Sequence, residues 1–429
     1  MLTLYRILAW LLAPLVLRRI HRSEQAELKA RRPERRGFVS PSASGAIWIH
    51  AASVGEINAA QGLVEGLLKR PDSPPILLST FTLTGAARAQ ELFADRLLHC
   101  LAPLDTRASV RRWLDRHRPA IALIVETEIW PELYHQAGAS GLPLILVNAR
   151  LTERSLKRSR RFGRLFSRAL ESVSLALCQS DDDAARLHQL GLPAGRSHIT
   201  GNLKFDTTLP ADIGVRARDF RQQWANRPCW VAGSTRPGEE LVVLAAQHQL
   251  RDARPDALLI LAPRHPERAG EVAELIESAG LQWQTLGEQV DPGTSVVLVD
   301  RIGVLLPCYA AAAVAFVGGS LVNIGGHNLL EPAAIGKAVL AGPHLHQQSE
   351  AARALGQAEA MITVTDAAEL SAAVNELWQN PERALELGRK AMAVVESGRG
   401  SLRRTLKLLE SHLPAARADE NDCSNQRSS

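Results

Sequence analysis

The chain has 429 residues, of which 46% are hydrophobic and 22% charged, so it can bury two ordinary cores and is not disordered throughout. Its five cysteines are scattered without a CxxC pair, which predicts neither a disulfide framework nor a zinc site and indicates a reducing compartment. The net charge of +5 is uneven, because residues 1–36 carry +6 and residues 150–168 carry +7. Each basic block predicts an anionic partner, unless it is simply a solvated helix face.

An apolar run, Leu2–Leu17, opens the chain and is followed by closely spaced arginines. It is shorter than the roughly 20 residues of a full membrane span, and Arg6 and Pro14 interrupt it. No small-residue cleavage site follows, so we expect an uncleaved anchor, with the basic flank on the cytoplasmic side of the membrane. The run could span with strain, lie in the interface, or dock on the protein itself as an amphipathic helix.

Beyond this run, short apolar segments alternate with longer amphipathic ones, which predicts parallel sheets covered by helices on both faces. The alternation restarts after about residue 208, so we predict two doubly wound α/β domains in tandem. Their predicted limits are 1–22 for the anchor, 23–207 and 208–414 for the two domains, and 415–429 for a disordered tail. Predicted strands are Ile47–Ala52, Ile76–Thr80, Ile121–Glu126, Leu144–Asn148, Leu175–Ser180, Trp230–Ser234, Ala257–Ala262, Val296–Asp300, Val314–Gly318 and Ala338–Ala341.

Two such domains facing each other would form a cleft, with ligands beyond the carboxyl ends of the strands. The sequence has no G-x-G-x-x-G after its first strand and no G-x-x-x-x-G-K-[ST], so a dinucleotide-dependent dehydrogenase and a P-loop NTPase have no support.

Two acidic motifs follow predicted strands of the first half. In WIHAASVGE (48–56), Glu56 opens a helix and could take a proton from an attacking hydroxyl, although a helix N-terminus favours the ionised form of the carboxyl and so makes it a weak base. The alternative is that Ser53 and Glu56 form an S-x-x-E capping box. In ETEIWP (126–131), two acids emerge from a buried strand, where charge is costly, or else cap the helix at Pro131.

Two basic motifs follow. Lys204 lies in GNLKFD (201–206), at the predicted crossing between the domains, either offsetting negative charge or solvated on a hinge. Arg264 and His265 precede Pro266, which suits a helix start, so Arg264 would lie where anions bind, unless the segment is a surface turn.

The most specific motif is GGSLVNIGGHNLLEP (318–332), a glycine-rich loop with a helix predicted from about Asn328. Its backbone N–H groups could cradle a phosphate, and Glu331 could accept hydrogen bonds from ribose hydroxyls. By contrast, Asp181-Asp182-Asp183 contains a D-x-D pattern that helix capping explains, so we assign no metal. The basic block at 150–168 suits the phosphates of an acidic lipid better than nucleic acid, because it has few aromatic residues.

Together these motifs resemble the 3-deoxy-D-manno-octulosonic acid (Kdo) transferases of lipopolysaccharide synthesis. The resemblance implies a GT-B fold of two Rossmann-like domains, a CMP-Kdo donor, a lipid IVA acceptor, inversion at the anomeric carbon, and neither cofactor nor metal. The matching stretches are WIHAASVGE (48–56), ETEIWP (126–131), NARLTERS (148–155), GNLKFD (201–206), PRHPER (263–268) and GGSLVNIGGHNLLEPAAIGKAVLAGPH (318–344).

The resemblance also implies residue roles. Glu56 would be the general base, and Glu126 and Lys204 would stabilise the transition state. A Met-Gly-Glu turn of the family aligns here with Ile302-Gly303-Val304, so the acid is replaced by Val304. The implied CMP-binding residues are Arg264, His265, Ile302, Gly303, Val304, Asn328, Leu329, Leu330 and Glu331.

Two other functions compete with this one. Another GT-B transferase of envelope lipids would use a UDP-sugar, which competition by CMP and by UDP would distinguish. A non-catalytic membrane protein that binds anionic lipids would explain the charge pattern but not the glycine-rich loop.

Overall fold

The computed structural model describes residues 1–22, 26–40, 44–71, 73–206, 209–287 and 289–414, so the predicted tail at 415–429 lies outside the described residues. The fold divides into two compact units. The first comprises Met1–Asp206 and the chain from Arg399 onward, and the second comprises Thr207–Gly398.

The first unit is built on a seven-stranded parallel sheet in the order β3-β2-β1-β4-β5-β6-β7. The chain starts in the middle of the sheet and winds first to one side and then to the other, so the winding direction reverses between β1 and β4. The strands are β1 (Ile47–His50), β2 (Ile76–Thr80), β3 (Leu98–Leu101), β4 (Ile121–Val125), β5 (Leu144–Ala149), β6 (Val173–Cys178) and β7 (Ser197–Ile199).

Helices cover both faces of this sheet, as the continuous apolar strands require. One face packs against α4, α5, α7 and α8, and the other against α2 and α3. The helices are α1 (Leu2–Arg22), α2 (Val54–Leu68), α3 (Leu83–Phe93), α4 (Arg107–His117), α5 (Pro131–Ala139), α6 (Glu153–Arg160), α7 (Gly163–Leu170) and α8 (Asp181–Leu190), with 3-10 helices at Ala26–Arg36, Ala94–Arg96 and Leu203–Phe205.

The second unit repeats the design, with a parallel sheet in the order β10-β11-β9-β8-β12-β13-β14. Its winding direction reverses between β8 and β12. The strands are β8 (Cys229–Thr235), β9 (Leu258–Pro263), β10 (Trp283–Thr285), β11 (Val296–Leu298), β12 (Val314–Val317), β13 (Ala338–Ala341) and β14 (Met361–Thr363).

The second sheet is also covered on both faces, by α10, α11 and α15 on one and by α9 and α12 on the other. Its helices are α9 (Ile213–Gln223), α10 (Glu239–Ala253), α11 (Ala269–Ser278), α12 (Leu305–Ala311), α13 (Leu330–Ala334), α14 (Ser349–Gln357), α15 (Ala367–Gln379) and α16 (Pro381–Gly398), with 3-10 helices at Pro266–Arg268 and His346–Gln348. The prediction of two Rossmann-like domains is therefore confirmed.

The last helix, α17 (Ser401–Leu409), belongs to the first unit, whereas the sequence analysis assigned 208–414 to the second domain. The Asp206 carboxylate accepts hydrogen bonds from the backbone N–H groups of Gly400 (2.7 Å) and Leu402 (2.6 Å), which fastens the start of α17. Leu409 is buried in the core of the first unit beneath α2.

Helix α1 docks on the first unit through a narrow stripe. Arg6 makes two hydrogen bonds to the buried Glu132 (2.7 and 3.1 Å), and the Tyr5 hydroxyl donates to Asp105 (2.5 Å). Across the described residues, no helix combines the length and apolar character needed to cross a bilayer. The outer side of α1 is nonetheless apolar, with Leu4, Ile7, Leu8, Trp10, Leu11, Leu12, Leu15 and Val16 all exposed.

Candidate active site

The reversal of winding in the first unit lies between β1 and β4, and both acidic motifs follow these two strands. Glu56 lies in the first turn of α2, directly after β1, and Glu126 is the first residue after β4. In open parallel sheets, ligands bind at the carboxyl ends of the strands on either side of such a reversal. The sheet topology therefore brings two predicted catalytic residues to one edge.

Glu56 is a buried carboxyl, 8% exposed, held in a single orientation. Its Oε2 accepts a hydrogen bond from the Ala52 N–H (2.5 Å), and its Oε1 accepts one from the Ser53 hydroxyl (3.1 Å). Burial, and then the negative charges of Glu128 and Glu126, raise the pKa of Glu56 to about 8. This pKa differs from the expectation that the helix N-terminus keeps the carboxyl ionised and weakly basic, because desolvation and two acidic neighbours disfavour its charged form.

The capping-box interpretation of Ser53 and Glu56 is also wrong. Ser53 occupies the N-cap position of α2, but its side chain caps no backbone N–H group and instead donates to Glu56. The Glu56 carboxyl reaches past Ser53 to the N–H of Ala52. Since Ser53 and Glu56 do not form the reciprocal hydrogen bonds of a capping box, their contact orients the Glu56 carboxyl instead.

Glu126 lies beside the predicted Lys204, whose Nζ is 3.2 Å from its Oε1. Glu126 has a left-handed backbone with φ of +59°, which is costly for a residue with a side chain and is concentrated at functional sites. The alternative that the acids of this motif cap α5 is wrong, because the Asp105 carboxylate accepts the hydrogen bonds from the N–H groups of Glu132 and Leu133.

The loop that carries Lys204 is held against the sheet by two asparagines. Buried Asn148, at the end of β5, accepts a hydrogen bond from the Leu203 N–H (3.0 Å), and Asn202 accepts one from the Lys204 N–H (2.9 Å). Asn148 also has a left-handed backbone, with φ of +54°. The sequence analysis gave Asn148 no role, and its left-handed conformation could not be read from the apolar strand that it ends.

Glu128 is a second residue whose role the sequence analysis missed. Its carboxylate accepts a hydrogen bond from the Trp130 indole N–H (2.7 Å), and its charge contributes more than that of Glu126 to the raised pKa of Glu56. The first unit therefore holds a carboxyl with a pKa near that of a general base at neutral pH, next to an acid–lysine pair.

In the second unit the predicted nucleotide residues lie at the carboxyl edge of neighbouring strands. Arg264 and His265 follow β9, and the His265 Nδ1 is 3.1 Å from the Glu267 carboxylate. His265 also contacts Arg236, a residue that the sequence analysis missed and that follows the adjacent strand β8.

The turn at 302–304 follows β11, on the other side of β9. Ile302 is 76% exposed, and Gly303 has φ of +84° with its carbonyl accepting a hydrogen bond from Arg216. The Val304 side chain is buried in the core beneath the sheet. Since the Val304 side chain is buried, this turn offers ligands its backbone and the Ile302 side chain.

The glycine-rich loop is built differently from the expected phosphate cradle. The buried Glu239 carboxylate accepts hydrogen bonds from the N–H groups of Gly319 (2.6 Å), Ser320 (2.8 Å) and Leu321 (2.8 Å). The N–H groups at the start of this loop are therefore occupied by a glutamate of the protein itself. The expectation that these three N–H groups bind a phosphate was wrong, because they already donate to Glu239. The sequence analysis did not connect Glu239 with the loop.

The end of the loop, Asn328–Glu331, carries the rest of the predicted nucleotide site. Helix α13 begins at Leu330 and has only five residues, so its dipole is small. The Asn328 side chain accepts from the Leu330 N–H (3.1 Å) and donates to Glu331 (3.2 Å), while the side chains of Leu329 and Leu330 are buried. The structure thus offers Asn328, Glu331 and the intervening backbone to a ligand.

Two motifs remain, the D-x-D pattern and the basic block. The Ser180 side chain caps α8 by accepting from the Asp183 N–H (3.2 Å), which confirms the capping interpretation of the D-x-D pattern. No cluster of three or more His, Cys, Asp or Glu side chains in the described part of the chain could hold a metal. The basic block forms α6 and α7, and its exposed side chains include Arg154, Lys157, Arg158, Arg160, Arg161, Phe162, Arg164 and Arg168.

Comparison with known proteins agrees with these features. The family model of 3-deoxy-D-manno-octulosonic-acid transferase (kdotransferase) matches residues 30–207. The 3-deoxy-D-manno-octulosonic acid transferase of Haemophilus influenzae is 36% identical over 393 residues, covering 90% of this chain and 92% of that protein. That of Bordetella pertussis is 37% identical over 378 residues, covering 86% and 87%.

A solved structure, the UDP-GlcNAc 2-epimerase of Neisseria meningitidis bound to UDP-GlcNAc, has a TM-score of 0.54 and covers 85% of this chain and 99% of its own. At 13% identity it supports the fold alone. The two relatives, by contrast, match at more than a third of positions over most of both chains. This chain therefore belongs to the family of 3-deoxy-D-manno-octulosonic acid transferases, which are glycosyltransferases.

Proposed function

We propose that the protein transfers Kdo from CMP-Kdo to lipid IVA, releasing CMP, in the synthesis of the lipopolysaccharide core. The observation that carries the proposal is Glu56, a buried and oriented carboxyl whose pKa is raised to about 8, beside the Glu126–Lys204 pair. A carboxyl of this kind can exchange a proton with an alcohol at neutral pH. Membership of the family supports Kdo as the transferred sugar.

In the proposed reaction, ionised Glu56 removes the proton of a primary hydroxyl on the lipid disaccharide. The hydroxyl oxygen forms a bond to the anomeric carbon of Kdo from the side opposite to CMP. The bond between that carbon and the phosphate oxygen breaks, its electron pair leaves with CMP, and the configuration inverts.

Positive charge would stabilise the leaving phosphate without a metal ion. Lys204 is the candidate in the first unit, since its bond to Glu126 holds it at the same sheet edge as Glu56. Arg264 is the candidate in the second, where it is exposed directly after β9. Fixed cations directed at a charge that grows in the transition state are an efficient source of catalysis.

We also propose that the protein works at the cytoplasmic surface of the inner membrane. The outer side of α1 exposes eight apolar side chains from Leu4 to Val16, among them Trp10 at 72% exposure. Helix α5 packs against both α1 and α7, so this apolar side and the basic block belong to the same helical layer. Apolar side chains flanked by basic ones suit the interface of a membrane rich in anionic lipid.

Mass spectrometry of lipid IVA incubated with CMP-Kdo and the protein tests the reaction. The expected result is a mass increase of one or more Kdo residues together with release of CMP. Competition distinguishes a CMP-sugar donor from a UDP-sugar donor, because CMP should inhibit the transfer and UDP should not. Turnover of a UDP-sugar, or lipid binding without any turnover, would contradict the proposal.

Co-sedimentation with vesicles tests the membrane proposal. Leu8→Glu/Leu12→Glu places two charges on the exposed side of α1 and should abolish binding to vesicles that contain anionic phospholipid. The matched control is Leu241→Glu, which alters an equally exposed leucine in the second unit and should bind like the unaltered protein. Equal binding by both variants would exclude α1 as the contact.

A further inference from the structure

A group of basic side chains marks the reversal of winding in the second unit, between β8 and β12. Arg236 follows β8, and His327 lies in the loop that follows β12. The Arg236 guanidinium is 2.8 Å from the His265 Nε2 through Nη1 and 3.3 Å from the His327 Nε2 through Nε. One guanidinium thus connects the loops that follow three adjacent strands, β9, β8 and β12.

Both histidines accept hydrogen bonds from Arg236. A guanidinium can only donate, so each Nε2 must carry a lone pair. The His265 proton therefore lies on Nδ1, which is 3.1 Å from the Glu267 carboxylate. Burial, followed by the charges of Arg264 and Arg236, lowers the pKa of His327 to about 3, so that ring is neutral. The positive charge of the group therefore belongs to the arginines.

This charge has no carboxylate partner within the described residues. Arg236 is half-buried, and no ion pair of its guanidinium is found there. Arg264 and Arg268 add positive potential around it, and Arg268 already pairs with Glu240 and Glu271. A half-buried guanidinium without a counter-ion is costly, and a phosphate oxygen accepts strong, charge-assisted hydrogen bonds from a guanidinium.

The nearest acid, Glu239, supports this arrangement without neutralising it through an ion pair. Its Oε2 accepts a hydrogen bond from the Arg236 N–H (2.9 Å), and the same carboxylate holds the start of the glycine-rich loop. Gly319, with φ of +68°, allows His327 to come close, because a Cβ at that position would lie 2.8 Å from the His327 ring. The Arg236 backbone and the His327 ring are thereby fixed relative to each other.

We propose that Arg236 binds the phosphate of the nucleotide, with His265 and His327 orienting the guanidinium. This inference rests on the proposed CMP-sugar site and adds to it a residue that lies outside the sequence motifs. Nη1 and Nε are committed to the histidines, which leaves the Nη2 group to meet an incoming phosphate oxygen.

Isothermal titration calorimetry with CMP and with cytidine, which lacks the phosphate, tests the inference. Arg236→Gln should weaken CMP binding about 10–100-fold, as expected for loss of a hydrogen bond to a charged group, and should leave cytidine binding unchanged. Arg236→Lys, which keeps the charge but loses the fork, should recover part of the CMP affinity. Arg218→Gln, which alters an exposed arginine of the same unit, is the control and should bind CMP normally.

The outcomes separate this inference from the function on which it rests. If Arg236→Gln retained CMP affinity, or lost CMP and cytidine affinity equally, Arg236 would not be the phosphate residue, although the proposed function would stand. If the unaltered protein did not prefer CMP to UMP, the proposed donor would be wrong and this inference would fall with it.

Discussion

The two units each place a buried glutamate in the first turn of the helix that follows their first strand, yet the two carboxyls differ in their surroundings. Glu56 has two donors, the Ala52 N–H and the Ser53 hydroxyl, and two acidic neighbours. Glu239 has four backbone N–H donors, from Arg236, Gly319, Ser320 and Leu321. Similar positions in two similar folds therefore carry different chemistry.

The difference shows how a Rossmann-like unit becomes a catalytic or a binding half. Where backbone N–H groups surround a carboxylate, its oxygens are committed to holding loops together. Where burial combines with nearby acids and few donors, as at Glu56, the carboxyl gains a pKa near 8 and can exchange protons. The number of donors around the carboxyl, more than the fold, separates the two roles.

The largest expected effect concerns Glu56. Glu56→Ala should lower kcat by about 10²–10⁴-fold, because the acceptor hydroxyl loses its general base. The measurement is single-turnover transfer of Kdo to lipid IVA. CMP affinity, measured on the same protein, should be unchanged, since the nucleotide residues belong to the other unit. Near-normal turnover by a folded Glu56→Ala protein would remove Glu56 from the mechanism.

Substitution of Glu239 should instead lower the stability of the fold. Glu239→Ala leaves four backbone N–H groups without their acceptor and should lower the free energy of unfolding by about 3–5 kcal/mol. Urea unfolding followed by circular dichroism measures this loss. Glu56→Ala is the matched control and should not destabilise comparably, because it removes a buried carboxyl with only two donors. Equal losses in both variants would contradict the distinction between the two glutamates.

The sequence predicted the central strands of both sheets and missed all four edge strands. The central strands are continuous apolar runs, buried on both faces, so composition alone locates them. The edge strands β3, β7, β10 and β14 have only three or four residues, and each includes at least one exposed position, as in Ser197–Ile199. Such strands form because a neighbour offers free N–H and C=O groups, and their own sequence carries little signal.

The candidate site was predictable where a motif is local and not where it depends on tertiary contacts. Glu56, Glu126 and Lys204 follow recognisable motifs, and the structure brings the last two within 3.2 Å. The raised pKa of Glu56 was not predictable, because it depends on burial and on Glu128 from the loop that follows another strand, β4. Nor was the contact of Glu239 with the glycine-rich loop, which joins residues about 80 positions apart.

Lys204 offers the next largest effect. Lys204→Met should lower kcat by about 10²-fold, by removing a cation that stabilises the leaving phosphate. It also leaves Glu126 without its ion-pair partner, so the carboxyls near Glu56 would carry more uncompensated negative charge. Transfer assays at saturating CMP-Kdo measure the loss. A change in KM alone would instead indicate that Lys204 contributes to ground-state binding.

The pH dependence of the reaction reports the environment of Glu56 directly. Because the base must be ionised and its pKa is about 8, kcat/KM should rise about tenfold per pH unit below pH 8 and level off above it. Glu128→Gln removes the larger of the two acidic contributions and should move this limb to lower pH. If the limb stayed in place, its titrating group would not be Glu56.

The last effect is on stability, and it tests the same carboxyl without any substrate. Burial raises the pKa of Glu56 from its ordinary value near 4.5 to about 8 in the folded protein, so between these pH values the folded state holds a proton that the unfolded state has lost. This contribution to stability is complete below pH 4.5 and is lost as the pH rises to 8, at about 1 kcal/mol per pH unit. Glu56→Gln cannot ionise, so its free energy of unfolding should exceed that of the unaltered protein increasingly from pH 5 to pH 8. Urea unfolding at several pH values measures the difference, and a difference that does not change with pH would show that the Glu56 pKa is not raised.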